Sequence, residues 1–360
     1  MLGWVDHADY RKWQSRQAKG DLPPDFLSGL RVLVVGAGSI GKRHIGNLTA
    51  LGIGNVAVVE PREDRRREAQ ERFGALPFFA TEELAYAAGS YDAVVVANPP
   101  ALHAASGERA LLAGAHVLME KSITDRVETA EHFLRLARRA GKVVAVNYVY
   151  RYADTLRTVA ELLSRGEIGK IYSAQIVFSE CLLDWHPGEH PRAWYAGHKD
   201  LGGGELSDEN HAVDIARWLF GEVREVMAYV GRLGELTLDA DDFAEVTLTH
   251  QNGIISQIHL DALGREPRKE MRIIGEAGSI FWDSYMGGNR VELFRAADRR
   301  REIFPGAMAR NDYFVEQLRD FLLCVARGGR PLAGGDEALA ALKICAAAER
   351  SSREGVRARL

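Results

Sequence analysis

Cysteine is scarce: the 360 residues hold three, at 181, 324 and 345. They are far apart, odd in number and form no C-x-x-C, which argues against a disulfide framework and against a structural zinc site. Cys324 and Cys345 lie in apolar helical patterns and are expected to be packed thiols. Positive charge is not in surplus either. The net charge is −4 and the pI about 6.3, so no global field draws the chain to nucleic acid. Local runs such as Arg65–Arg67 and Arg299–Arg301 read as solvated surface. No apolar stretch reaches the ~18 residues that a membrane span needs. Asp6, His7, Asp9, Arg11 and Lys12 stand where a signal peptide would be apolar. A cytoplasmic protein is expected, with no membrane and no nucleic acid among its partners.

What is present is a rhythm. Residues 1–29 carry Trp4, Tyr10 and Trp13 and end in Leu22-Pro23-Pro24-Asp25, and read as a packing arm ahead of the first strand. From Leu30, continuous apolar runs at 32–35, 56–59, 93–96, 116–119 and 143–146, with a weaker one at Phe78-Phe79, alternate with helical stretches. Strands buried on both faces and separated by helices mean a parallel, doubly wound sheet over residues 30–150. After about Tyr150 the pattern changes. A helix over 153–165 is followed by strand-like runs at 171–179, 223–231, 243–249, 254–260, 271–275 and 289–294, with Gln251-Asn252-Gly253 as a hairpin turn. One helix, about 205–219, interrupts them, and helices at about 311–327 and 335–352 close the chain. Residues 151–360 are therefore expected to form an α+β domain around a large, mostly antiparallel open sheet.

Gly36-Ala37-Gly38-Ser39-Ile40-Gly41 is G-x-G-x-x-G between a buried strand and a helix, the context in which it reads as a dinucleotide site. The first glycine permits the tight turn, the second lets backbone approach a pyrophosphate, and the third lets helix and strand pack closely. The phosphates then meet unpaired N–H groups at the helix start. Glu60 ends the second strand, 19 residues after Gly41. Its two oxygens suit ribose hydroxyls and would repel a 2′-phosphate, which favours NAD, while Arg62 and Arg65 keep NADP open. Asn98 and Pro99, after the fourth strand, are expected to border the nicotinamide half. His103 either faces the ribose or faces solvent.

Glu120-Lys121 follows the fifth strand directly, on the ligand edge of such a sheet. A lysine there can polarise a carbonyl or help to deprotonate an alcohol while hydride leaves or joins carbon. Gly202-Gly203-Gly204 opens the helix carrying Asp208, His211 and Asp214. Residues 208 and 211, like 211 and 214, are three apart and share a helix face, so a carboxylate could orient the imidazole. Equally, the acids could serve the helix dipole beside a satisfied core histidine. No third ligand suggests a metal.

Together, Gly36–Gly41, Glu120-Lys121 and Gly202–Asp214 running into Trp218-Leu219-Phe220-Gly221 resemble the Gfo/Idh/MocA family of dehydrogenases, which includes glucose–fructose oxidoreductase and inositol dehydrogenase. The likeness covers about residues 30–355. It implies a Rossmann domain plus an open-sheet domain, and a homodimer or homotetramer formed through that sheet. It implies that Lys121 is the lysine of the family's Glu-Lys-Pro motif and that Asp208 and His211 are the acid and histidine of its second-domain helix. Ser122 replaces the usual proline. The Asp-to-His spacing is three where many members have four, which would put the aspartate on Ser207. Tyr150-Arg151-Tyr152 resembles a family segment that reaches the substrate. The segment with Asp184, Trp185, His186, Arg192, Trp194, Tyr195 and Lys199 is expected to frame it, aromatic faces suiting sugar rings and arginine suiting an anion. The expected reaction is NAD-linked oxidation of a secondary hydroxyl, or reduction of the ketone, on a sugar, cyclitol or sugar derivative. The rivals are a glycosidase working through transient oxidation and a non-catalytic nicotinamide-binding regulator.

Overall fold

The computed structural model describes residues 13–15, 22–185, 188–235, 238–285 and 288–360. Trp4, Tyr10 and His186 lie outside the described residues. The chain divides into two compact units. One comprises the described part of residues 9–149 together with Asn311–Leu339; the other comprises Tyr150–Arg310 and Ala340–Leu360.

In the first unit a short helix α1 (Pro24–Gly29) leads into β1 (Arg31–Val35), and the elements then alternate: α2 (Ser39–Ala50), β2 (Asn55–Val59), α3 (Glu63–Phe73), β3 (Phe78–Phe79), α4 (Glu82–Ala88), β4 (Ala93–Val96), α5 (Pro100–Leu112), β5 (His116–Met119), α6 (Val127–Ala140) and β6 (Val144–Val146). The six strands are parallel in the order β3-β2-β1-β4-β5-β6. That order reverses beside β1, so a crevice opens beyond the carboxyl ends of β1 and β4. Two helix ends have a visible local cause: the Thr81 hydroxyl caps α4 by accepting the Leu84 N–H, and Gly141, left-handed at φ 62°, stops α6.

The other unit holds helix α7 (Asp154–Ser164), β7 (Ile171–Ser179), α8 (Glu205–Asp208), α9 (His211–Phe220) and strands β8 (Val223–Gly231), β9 (Phe243–His250), β10 (Ile255–Asp261), β11 (Arg268–Gly275), β12 (Gly278–Asp283), β13 (Arg290–Arg295) and β14 (Arg300–Pro305). Two long helices follow, α10 (Arg310–Arg327) and α11 (Gly335–Glu354), and a two-residue β15 (Ala358–Arg359) ends the chain. The sheet order is β14-β13-β12-β11-β7-β10-β9-β8-β15; β7 and β10 pair parallel, and the other pairs are antiparallel. One face is apolar and buried, with Ala174, Ile176, Phe178, Met271, Ile273 and Trp282 upon it. The other leaves Met227, Tyr229, Ile274 and Ile303 exposed.

The expected architecture stands, with three refinements. β12 and β14 are strands that the sequence pattern did not mark. The single helix expected over 205–219 is broken: Glu209, at φ −101° and ψ 25°, ends α8, and α9 starts at His211. The first turn of α8 is anchored, since Glu205 N–H donates to the Asp241 carbonyl and Leu206 N–H to Asp241 Oδ2. Finally, the segment 151–360 is interrupted. Leu318, Phe321, Leu322 and Leu323 of α10 join the core of the first unit beside Val32, Val34 and Val95, because the apolar face of that helix finds its buried partner there.

All three cysteines are free and buried. Burial pushes the Cys345 thiol well above its ordinary range, so it is inert. No described helix is long and apolar enough to cross a membrane.

Candidate active site

The cofactor side is built mainly from backbone. Gly36 sits at φ 100°, and a Cβ there would lie 2.6 Å from the Ala97 carbonyl oxygen. A Cβ on Gly41 would lie 2.0 Å from the Gly36 oxygen. At Gly38 the space is open, with nothing nearer than an Arg65 nitrogen at 3.8 Å. Two glycines therefore close the turn on itself and the middle one leaves room for a ligand. Ser39 and Ile40 open α2, and Gly38 supplies no side-chain cap, so the N–H groups of the first turn face outward without one. This cradle fits a dinucleotide pyrophosphate.

Glu60 is buried at the end of β2, and its carboxylate is already at work. Oε2 accepts the Ala37 N–H at 2.8 Å and Oε1 the Arg62 N–H at 2.9 Å. Each oxygen keeps a second lone pair, which is what ribose hydroxyls would use. Arg62 turns away: its guanidinium donates to both oxygens of Asp64, at 3.1 and 2.5 Å. That pairing takes up the charge of Arg62, while Arg65 still lies beside the cradle, its Nη1 3.8 Å from where a Gly38 Cβ would be.

Asn98 and Pro99 stand after β4, where Asn98 donates to the Ser106 hydroxyl at 2.9 Å. His103 corrects the expectation. It is fully buried, with Nε2 at 2.8 Å from the Asn98 carbonyl and Nδ1 at 2.6 Å from the Ser122 carbonyl. Burial pushes its pKa down, so the ring is neutral and can donate to one of these carbonyls at a time. It braces two ligand-edge loops and meets neither ribose nor solvent.

Glu120 is likewise an internal brace. Its Oε1 lies 2.7 Å from His44 Nε2 and accepts the Asn147 amide at 2.5 Å. Burial raises its pKa, but the hydrogen bonds of His44 and Asn147 and the charge of Lys121 outweigh that, and the carboxyl stays below its ordinary range. Lys121 follows it, half-buried, through a cis peptide to Ser122. His44 and Asn147 were not picked out from the sequence. The signal for His44 is its place on the face of Gly41, Ile45 and Leu48, where every other residue is buried.

In the other unit, His211 is half-buried at the start of α9. The Tyr150 ring meets it edge-on at 5.1 Å between centroids and also packs on Phe178 and Trp282. Because α8 ends at Glu209, Asp208 and His211 do not share one helix face. Asp208 is buried and accepts the Tyr195 hydroxyl at 2.7 Å. Arg151 also departs from expectation. It is buried, and its Nε and Nη2 donate to the two oxygens of Asp214 at 2.8 and 2.7 Å. The pair neutralises itself, so Arg151 offers no charge to a substrate, and both Asp214 oxygens accept from Arg151.

Trp185 stacks on Trp194 at 6.0 Å in a small cluster with Leu182, Ala196 and Leu238. Arg192 is exposed. Lys199 is tied to Glu349 at 2.5 Å and Asp241 at 3.4 Å. Among the described residues, His198, Asp200 and Asp239 bring potential ligand atoms within 4.8 Å. His198 Nε2 is spent on the Arg192 carbonyl and Asp239 Oδ1 accepts the Lys199 N–H, so the group reads as loop structure.

A second cluster escaped the sequence reading. Lys269 is buried on β11, with Nζ 3.0 Å from Glu209 and 3.5 Å from Glu180, and lies over the Phe178 ring at 5.1 Å. The readable signal was parity: Lys269 shares its sheet face with Met271 and Ile273. Glu205 lies close by, and burial, then the charges of Glu209 and Asp208, push its pKa well above the ordinary carboxylate range.

Family models agree with this anatomy. Residues 30–148 match the oxidoreductase family with an NAD-binding Rossmann fold, and residues 156–281 match the GFO/IDH/MocA C-terminal domain. An uncharacterized oxidoreductase of Synechocystis is 31% identical over 55% of this chain and 58% of its own length. Myo-inositol 2-dehydrogenase of Thermotoga maritima is 25% identical over 90% of this chain and 97% of its own. The WlbA dehydrogenase from Bordetella pertussis, solved with NADH and UDP-GlcNAcA, superposes with a TM-score of 0.79 at 26% identity, covering 92% of this chain and 98% of that one. With a cradle that fits a dinucleotide and both domain models matched, the chain belongs to the Gfo/Idh/MocA family of NAD(P)-dependent oxidoreductases.

Proposed function

We propose that this enzyme reversibly oxidises a secondary hydroxyl of a sugar, cyclitol or sugar derivative. The observation that carries the reading is Lys121, set at the carboxyl end of β5 behind a Glu120 that His44 and Asn147 hold in place. NAD, when bound, supplies the hydride acceptor. Gly36, Gly38, Ser39, Ile40 and Gly41 hold its pyrophosphate, and Glu60 its ribose. Asn98 and Pro99 border the nicotinamide side. Lys121 and His211 handle the hydroxyl proton. Tyr195 and Asp208 form a hydrogen-bonded pair beside the substrate, with Tyr150 as its apolar wall. The exposed residues Met227, Tyr229, Ile274 and Ile303 on the outer sheet face fit a homodimer or homotetramer closed through that sheet.

The test is a substrate panel. NAD and NADP are each offered with sugars, cyclitols, sugar acids and aryl glycosides, and NADH absorbance and glycoside release are followed together. NADH production with a preferred polyol, reduced ~10²- to 10⁴-fold in Lys121→Ala and His211→Ala, is the expected result. Glycoside release without net NADH would replace this reading with that of a glycosidase.

A further inference from the structure

The reading above leaves one buried charge unused. Glu209 is 5% exposed. Its Oε1 is held by Lys269 at 3.0 Å, while Oε2 is buried and has no hydrogen-bond partner among the described residues. Glu180 stands 3.5 Å from the same ammonium, and the charge of Arg310 also acts on both carboxylates. Keeping a second carboxylate here is costly: its charge adds to burial in pushing the Glu205 pKa well up. A buried acceptor left open at such cost suits a partner that comes and goes.

The position fits that role. Glu209 sits in the break between α8 and α9, two residues before His211. Lys269, which fixes Oε1, lies 5.9 Å from the Tyr150 ring, and that ring meets His211. The surroundings also select the ligand. The acidic residues Glu180, Glu205, Asp208 and Glu209 outnumber the basic Lys269 and Arg310, whose charges already act on Glu180 and Glu209. An incoming carboxylate would meet like charge, and a hydroxyl would meet an acceptor.

Resting on the dehydrogenase reading, we propose that Glu209 is a specificity-determining residue: Oε2 accepts a hydrogen bond from a second, non-reacting hydroxyl, so the substrate is a neutral polyol and not a sugar acid. Lys269 acts as a positioning residue that holds Glu209 in place. A site built to pair a hydroxyl discriminates strongly against the analogue lacking it, since the buried acceptor then stays unpaired.

The test uses the full-length protein with NAD, the neutral polyol that reduces NAD fastest in the panel, its monodeoxy analogues and the matching sugar acid. The expected wild-type result is a loss of about 10²-fold in kcat/KM for one monodeoxy analogue. Glu209→Gln should raise KM for the parent polyol with a smaller change in kcat. It should also erase discrimination at that one position while keeping it at the others. NAD affinity and the melting curve check that the variant is folded. An unchanged KM, or equal loss on every analogue, would overturn the inference and leave the dehydrogenase reading intact. So would a wild-type preference for the sugar acid, a measurement that needs no variant. If no member of the panel reduces NAD, the dehydrogenase reading itself fails and the inference falls with it.

Discussion

Glu60 and Glu120, in the nucleotide-type unit, are surrounded by backbone N–H groups, an amide and an imidazole. Arg151 and Lys269, in the other unit, are held by carboxylates far away in sequence. The first arrangement fixes a ligand whose shape is known in advance, and short-range backbone geometry is enough. The second stores paired charges in a sheet core, where each partner depends on the other remaining. Errors in the first should show as lost cofactor affinity. Errors in the second should show as lost stability or changed selectivity.

Breaking the charge-paired side should give the largest effect. Arg151→Met strands a buried Asp214, and removing one member of a buried pair costs about 3–5 kcal/mol. Urea denaturation should show that loss, and most of it should return in the double variant Arg151→Met/Asp214→Leu. A double variant no more stable than the single would mean that the pair does not balance itself. On the backbone side, Gly41→Ala places a Cβ 2.0 Å from the Gly36 oxygen. Overpacking of that kind costs about 1–3 kcal/mol, or roughly 10- to 100-fold in NAD affinity if it falls on the bound form. Fluorescence titration measures it, and NAD binding at wild-type strength would show that the turn can relax.

The smallest effect sharpens the comparison with a pair open to solvent. His259, on β10, lies 2.8 Å from Asp261 and 2.6 Å from Glu245. The Asp261 hydrogen bond, partly opposed by burial and reinforced by Glu245, raises its pKa to about 9. A raised pKa stabilises the fold fully below the unfolded value of about 6.5 and loses that contribution as pH climbs through 9. Melting temperature should therefore drop more between pH 6.5 and 9.5 in the wild type than in His259→Gln. Parallel curves would remove the pair from the stability account. Asp261 is different: burial raises its pKa, but His259, Ser179 and two backbone N–H groups bring it to about 2. Its contribution is fully present above the unfolded value of about 3.9 and is lost as pH falls from there through about 2.

The same contrast explains what was legible. The G-x-G-x-x-G turn, Glu60 and Glu120-Lys121 occupy fixed places relative to a strand end, so local spacing shows them. The strands of the first sheet are continuous valine-rich runs and were readable for the same reason. Arg151–Asp214 spans 63 positions and Lys269–Glu209 spans 60, and no local pattern announces a pairing at that distance. Arg151 therefore read as a substrate group when it is neutralised inside the core. His103 read as a ligand-edge residue because position alone does not tell a side chain that faces a crevice from one that ties its walls. The helix break at Glu209 was hidden because Glu205–Phe220 keeps an apolar period that suits one continuous helix.

In the proposed reading Glu60 does two things at once: it takes the ribose hydroxyls, and it pins the glycine turn through the Ala37 N–H. A lineage drifting towards a phosphorylated nucleotide would first need to shed the negative charge at this position. The same step would slacken the turn that grips both nucleotides. An intermediate with a small neutral side chain at 60 would gain nothing from the new nucleotide before losing its hold on the old one. Nucleotide preference is thus buffered against single steps and yields only when the change at 60 brings its own acceptor for Ala37.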